Sequence, residues 1–444
     1  MRVVVVGAGE VGSSIAESLA DVHEVVVIDR DRSRVESLTY SLDVLAVHGD
    51  GASMSTLREA GIEEADMLIA STDDDETNIV TCGTAATVSN AFSIARVKNP
   101  QYLETWQGAP ERAFDVHFMV CTVLLTAQSI VRVIGLPAAQ DVDAFAEGAV
   151  RMAQFEIPQD SPVADQTVAQ ADRFDSLTFA ALIREEEVVI PSGDTTIHSG
   201  DDVVVIGSPE SVRSFGAAIA PREGGPRDIV IVGGSDVGYQ TAHLLEQRGF
   251  HPRLIEHDPE RARWLAEHLP KTTVMESDAT DREFLERENV GEADVVVTCL
   301  ERDEQNLLAG LLAKRLGAHR TVSVTETGEY VELFEAVGID VAVNPREATA
   351  EEITRFTREQ RAENVAIIEG DRAEVLEIEL DTDSVLAGRS IKEAVQDLPE
   401  GVVIGAITRD GKHITPRGDT MLQVNDHVIV FARADVVDET TAKL

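Results

Sequence analysis

The residues with the plainest chemical use lie near the start of the chain: Gly7-Ala8-Gly9-Glu10-Val11-Gly12. A GxGxxG turn between a strand and a helix aims backbone amides and the positive end of a helix dipole at a pyrophosphate. Gly7 makes the tight turn, Gly9 lets a ligand approach the backbone, and Gly12 lets helix and strand pack. Alone the fingerprint is weak; its context completes it. An apolar strand, Arg2–Val6, precedes it and a helical stretch over 13–19 follows. A second strand over 24–28 runs into Asp29, 22 residues after Gly7. That is the spacing of a carboxylate that accepts hydrogen bonds from ribose hydroxyls. It would repel a 2′-phosphate, so NAD or an adenine nucleotide is expected rather than NADP, with Arg30 and Arg32 as opposing charges. In a doubly wound sheet the crevice beyond the strand ends also collects Asp50 and Gly51 after strand three, Ser71 and Thr72 after strand four, and Arg96 after strand five. Arg96 could neutralise a phosphate or reach across a dimer.

The spacing recurs at Gly233-Gly234-Ser235-Asp236-Val237-Gly238, followed by Glu256, 23 residues after Gly233. Asp278 and Ala279 match Asp50 and Gly51, while Cys299 and Leu300 match Ser71 and Thr72. Two departures stand out. Ser235 replaces the close-approach glycine, so a Cβ crowds the pyrophosphate, and Val324 replaces Arg96. The second segment is either a nucleotide site of altered preference or a structural copy.

Catalytic equipment is absent from this reading. A dehydrogenase needs a proton donor or acceptor near the nicotinamide, and only Lys98 lies near a strand end of the first site. His23 and His48 read as surface turn residues. There is no HExxH, GxSxG or Cys/His cluster, so no catalytic residue and no metal ligand is assigned. Asp73-Asp74-Asp75-Glu76 could hold a cation, or could simply complement a helix N-terminus.

These residues need strands and helices to place them, and the chain supplies each element twice. VVVVGAGEVG at 3–12 parallels IVIVGGSDVG at 229–238, VVVIDRD parallels PRLIEHD, and DDETN at 74–78 parallels RDEQN at 302–306. The repeat continues to PSGDTTIHSGDDVVVIG (191–207) and PRGDTMLQVNDHVIVFA (416–432). The linker is read at 221–227, PREGGPR. Within each copy, buried-type strands alternating with helices predict a parallel sheet, and short alternating strands with Gly turns predict a small antiparallel domain. The expected fold is α/β: a tandem duplication of a Rossmann-like, doubly wound parallel-sheet domain followed by a small α+β domain. The four domains are placed at 1–135, 140–222, 226–346 and 362–444.

Composition bounds the surroundings. Of 444 residues, 43% are apolar but only 4% aromatic, so the cores must be built from Val, Ile, Leu and Ala. Eighty acidic side chains face 38 basic ones, a formal charge of −42. Such self-repulsion weakens a compact state unless salt screens it; a halophilic, high-salt cytoplasm is expected. The charge also argues against nucleic acid, which requires a basic stripe. Three cysteines without disulfide or metal spacing suit a reducing compartment. The chain opens on MRVVVVG with no signal-like segment, and the longest weakly polar run, 118–131, is shorter than the ~20 residues a spanning helix needs. A cytoplasmic protein that works at a membrane only by docking is expected. Run 118–131 is either a helix that pairs protomers or plain core.

The order VVVVGAGEVG, VVVIDRD, HGDG, ADMLIASTDDDETN and ARVKNPQY resembles the potassium-transport nucleotide-binding domain, called RCK or KTN. LTFAALIREEEVVIPSGDTTIHSGDDVVVIG resembles its companion C-terminal domain. The resemblance covers essentially the whole chain, duplicated as in the peripheral subunits of Trk-type potassium uptake systems. It implies NAD(H) in the first site and NAD(H) or ATP/ADP in the second. It also implies a homo-oligomeric gating ring on the inner face of the cell membrane and a TrkH-like potassium-translocating partner. The site residues it implies are Gly7 to Val11, Asp29, Asp50, Gly51, Ser71, Thr72 and Arg96, then Gly233 to Val237, Glu256, Asp278 and Ala279. The function implied is regulation rather than catalysis. A nucleotide sensor for another cation transporter and an NAD-dependent oxidoreductase are the alternatives.

Overall fold

A computed structural model of the chain describes residues 1–20, 22–108, 113–136, 139–159, 161–184, 187–219, 227–358, 364–368, 372–381, 384–409 and 411–443. The linker read at 221–227 lies outside these, except for Arg227. The chain forms two compact units. One joins residues 1–130 with 228–354, and the other joins 131–227 with 355–444.

The first unit holds two six-stranded sheets. In one, the strands lie in the order Leu45–His48, Glu24–Asp29, Arg2–Val6, Met67–Ala70, Phe92–Val97, Phe118–Cys121. The other repeats it with Thr273–Glu276, Arg253–Glu256, Ile229–Val232, Val295–Thr298, Arg320–Val324 and Val341–Val343. All pairings within both are parallel. The inner strands are continuous β-branched runs because helices cover both faces; Val3, Val4 and Val5 are fully buried. The strand order reverses beside the first strand of each sheet, which opens a crevice at the strands' C-terminal ends.

The sixth strand differs from the expectation for run 118–131. Phe118–Cys121 pairs with Phe92–Val97, and only Thr122–Ile134 is helical. Four apolar residues satisfy an edge strand and an amphipathic helix start equally well, and the unpaired ladder of the fifth strand decides between them. The same pairing draws Arg96 into the fifth strand, opposite Val120, rather than after it.

The second unit holds two antiparallel sheets of one topology. The first runs Glu187–Val189, Leu177–Arg184, Asp202–Gly207, Val150–Glu156, Ala139–Phe145, and the second Lys412–Ile414, Val402–Arg409, His427–Arg433, Ala373–Glu379, Asn364–Ile368. The two sheets share a core in which Phe145, Met152 and Ile206 meet Val375, Ile429 and Phe431. Arg184 forks onto Asp201, with Nε to Oδ1 at 2.7 Å and a second nitrogen to Oδ2 at 2.6 Å; Arg409 and Asp426 repeat the arrangement.

Candidate nucleotide-binding sites

Each crevice is framed by its glycine turn. Gly7 and Gly233 have φ of +106° and +102°, conformations that a side chain would strain. A Cβ on Gly12 or Gly238 would run into the carbonyl of Gly7 or Gly233, so the third glycine sets how closely helix and strand pack. A Cβ on Gly9 would meet only the Arg34 guanidinium at 3.6 Å. That is ordinary van der Waals contact with a movable side chain, so packing among the described residues does not require glycine there.

The carboxylates at the ends of the second strands hold those turns. Asp29 is 7% exposed; its Oδ2 accepts from the Ala8 amide at 2.6 Å and its Oδ1 from the Asp31 amide at 2.7 Å. Glu256 reproduces this, accepting from Gly234 N–H at 2.7 Å and Asp258 N–H at 2.8 Å. The longer side chain reaches the same two points. Each carboxylate oxygen keeps accepting capacity for a ribose hydroxyl.

The first pocket encloses about 610 Å³, and the second about 630 Å³. Of the first-site residues expected from sequence, Gly7, Gly9, Glu10, Val11, Asp29, Asp50, Gly51, Ser71, Thr72 and Arg96 line the first pocket. Ala8 does not line it and contributes its amide to Asp29. In the second pocket Gly233, Gly234, Ser235, Asp236, Glu256, Asp278 and Ala279 line the wall, and Val237 does not. Asp50 and Asp278 each turn the chain after strand three by accepting an amide two residues on, from Ala52 at 3.0 Å and Thr280 at 2.8 Å.

The two sites differ at the glycine turn. Ser235 is the N-cap of helix Asp236–Gln247, its Oγ accepting from Gly238 N–H at 3.3 Å. Gly9, at the matching position of the first turn, has no side chain to make that bond. At the far wall of the first pocket Arg96 is 3% exposed, donates through Nε to Thr122 Oγ1 at 3.1 Å and lies 3.6 Å from Asp73. Burial pulls its guanidinium below the ordinary value; Asp73 opposes that and nearby Arg346 reinforces it. Burial also works against ionisation of Asp73, yet Lys98 and Arg96 hold its carboxyl below the usual range. Cys299, in the second pocket, has its thiol pushed up to about 12 by burial, which disfavours the thiolate.

The acidic run 73–76 is committed to the protein. Asp74 caps helix Asp75–Ala86 through Thr77 N–H, Asp75 accepts from the amides of Lys98 and Asn99, and Glu76 accepts from the Tyr102 hydroxyl. Among the described residues no group of His, Cys, Asp or Glu is arranged to hold a metal ion, and no helix is long and apolar enough to cross a membrane.

Five residues that sequence reasoning did not single out shape these sites. Asn78, fully buried, accepts from the amide and hydroxyl of Thr72 and donates to Thr72 O and Arg96 O. Asn306 accepts from the Leu300 amide and donates to the Leu300 carbonyl. Their place in the paired DDETN and RDEQN segments was the available signal. Arg34 faces Gly9 and Asp29, and its counterpart Arg261 bonds Gly234 O and Asp236. Arg346, from the second half, lines the first pocket, and no local motif marks it.

Two Rossmann-like sheets with nucleotide-type crevices, each followed by a small antiparallel domain, define a tandem RCK-type protein. The TrkA-N domain matches residues 3–111 and 229–345, and the TrkA-C domain matches 152–220 and 375–444. The Trk system potassium uptake protein TrkA homolog of Archaeoglobus fulgidus is 37% identical over 439 residues, covering 99% of each chain. TrkA homolog 1 of Methanosarcina mazei is 35% identical over 448 residues, again covering 99% of each. A solved structure, the GsuK channel bound to NAD, is similar with a TM-score of 0.62 at 18% identity, over 99% of this chain and 79% of that one. The chain belongs to the TrkA family of Trk potassium uptake proteins.

Proposed function

We propose that this chain is the nucleotide-sensing regulatory subunit of a Trk-type potassium uptake system. It binds NAD(H) in the first pocket and NAD(H) or ATP/ADP in the second, without turning them over. Copies form a ring at the cytosolic face of a TrkH-like membrane subunit, and ligand exchange biases the ring between shapes of different affinity. The observation that carries this reading is the carboxylate-held glycine turn at the switch point of both sheets, in a chain that matches TrkA relatives end to end. The NAD bound in the GsuK channel structure supports the ligand class. The charge of −42 further supports a salt-rich cytoplasm as its setting.

Deleting the gene should abolish most high-affinity potassium uptake, and restoring it should return uptake. Uptake unchanged by deletion refutes the proposal. Affinity capture from membranes should bring down a potassium-translocating subunit; capture of a cation–proton antiporter instead would reassign the partner.

A further inference from the structure

The first pocket is not built by its own domain alone. Arg346 is the second residue of helix Pro345–Arg358, which follows the sixth strand of the second sheet, yet it lines the first pocket beside Gly9, Glu10, Asp73 and Arg96. Its guanidinium pairs with Glu10 and stands 3.5 Å from Glu326. One turn along the same helix, the buried Thr349 hydroxyl donates to Pro345 O at 2.7 Å and hydrogen-bonds Thr122 Oγ1 at 3.1 Å, the oxygen that also accepts from Arg96 Nε. Arg96 and the helix that carries Arg346 are therefore referenced to a single hydroxyl.

We propose that Arg346 is a phosphate ligand of the first nucleotide pocket, for which Glu10 and a bound phosphate compete. The inference rests on the reading that this pocket takes a nucleotide. The charge balance motivates it. The pocket wall carries five carboxylates against three arginines from its own domain, and a nucleoside diphosphate adds more negative charge. Arg96 is already partly neutralised by Asp73. A guanidinium fork suits two phosphate oxygens, and Arg346 brings one from outside the domain. Burial disfavours its charge, but Glu10 outweighs that and raises its pKa, so it stays cationic.

The device is one-sided. The position of Arg346 in the first half, second in helix Thr122–Ile134, is Val123, and the second pocket is lined only by its own domain among the described residues. Phosphate at the first site then ties the two parallel-sheet domains together, so occupancy there and their mutual seating are coupled and each must affect the other.

The test is calorimetric titration of the full chain with adenosine, ADP and NADH. First-site binding is defined as the component lost in Gly9→Asp, whose Cβ would meet only the tip of Arg34. Arg346→Gln should weaken the first-site affinity for ADP and NADH by about tenfold or more, the scale of one charge-assisted hydrogen bond, and leave adenosine within twofold. Glu10→Gln should change ADP affinity in the opposite direction, because it frees Arg346, and Arg346→Lys should recover part of the loss. Unchanged ADP affinity in Arg346→Gln, or a parallel fall for adenosine, overturns the proposal while leaving the pocket's nucleotide function intact. If Gly9→Asp removes no binding from the wild type, the nucleotide reading itself fails, and the role of Arg346 with it.

Discussion

At the scale of single residues, the three glycines of the first turn are not equivalent. A methyl group on Gly12 meets the Gly7 carbonyl, whereas one on Gly9 meets a movable arginine tip. Gly12→Ala should destabilise the protein by about 1–3 kcal/mol, the usual cost of overpacking, seen as a lowered thermal midpoint. Gly9→Ala should leave the midpoint unchanged and weaken nucleotide binding. Equal midpoints for both variants would contradict the packing role of Gly12. The glycine turns and the carboxylates that hold them were legible because their work depends on backbone geometry at fixed spacing. Arg346 was not, because its partner Glu10 lies 336 positions earlier and only the tertiary fold brings them together. Asn78 and Asn306 fall between these cases: the repeat exposed them, but their role as braces for the strand-four loop is set by the tertiary fold.

At the scale of elements, the small antiparallel domains depend on two buried carboxylates that the repeat preserved without revealing why. Asp201 lies at the turn before strand Asp202–Gly207 and receives the Arg184 fork together with the His198 amide. Burial works against its ionisation, but the Arg184 hydrogen bond holds its pKa below the ordinary value. A depressed folded-state pKa means stabilisation that is complete above the unfolded carboxylate value and disappears as pH falls through the folded one. Urea midpoints should therefore drop steeply below about pH 4, the unfolded reference. Asp201→Asn should flatten that part of the drop while lowering the midpoint at pH 7, since it strands a partly buried arginine. A mutant with the wild-type slope would place the acid sensitivity elsewhere. The strands of these domains were read in part. Leu177–Arg184 and Asp202–Gly207 are clear apolar runs, but Ala139–Phe145 and Asn364–Ile368 were missed. The sequence QDVDAF mixes charges into a strand end whose pairing with Val150–Glu156 is a tertiary fact.

For the whole molecule, the repeat is a scaffold duplicated with its two pockets made unlike. Ser235 spends its hydroxyl on the Gly238 amide, and a ligand in the second pocket must approach past that Cβ and hydroxyl. Ser235→Gly should therefore remove a helix cap, at about 0.5 kcal/mol or less for a glycine replacement, and raise the second pocket's affinity for a dinucleotide, with the first pocket unaffected. Site-resolved titration in the Gly9→Asp background reads this directly, and unchanged affinity would show that the second pocket's preference is set elsewhere.

The acidic excess also acts at this scale, because it belongs to no single element. The described ion pairs include forks such as Arg253 on Asp228 and Arg409 on Asp426, yet a surplus of 42 negative charges remains in 444 residues. Its mutual repulsion is long-ranged at low ionic strength and shrinks as the screening length falls from about 10 Å at 0.1 M salt to about 3 Å at 1 M. The cores are aliphatic and aromatic-poor, and potassium chloride screens without weakening their burial. The far-ultraviolet circular dichroism and the thermal midpoint should therefore rise continuously from about 0.05 M to 2 M potassium chloride, over the range where the screening length contracts. A purely ionic-pair-stabilised fold would respond in the opposite sense, because salt weakens surface pairs. A midpoint independent of salt would mean that the carboxylates are spaced widely enough for repulsion to be negligible.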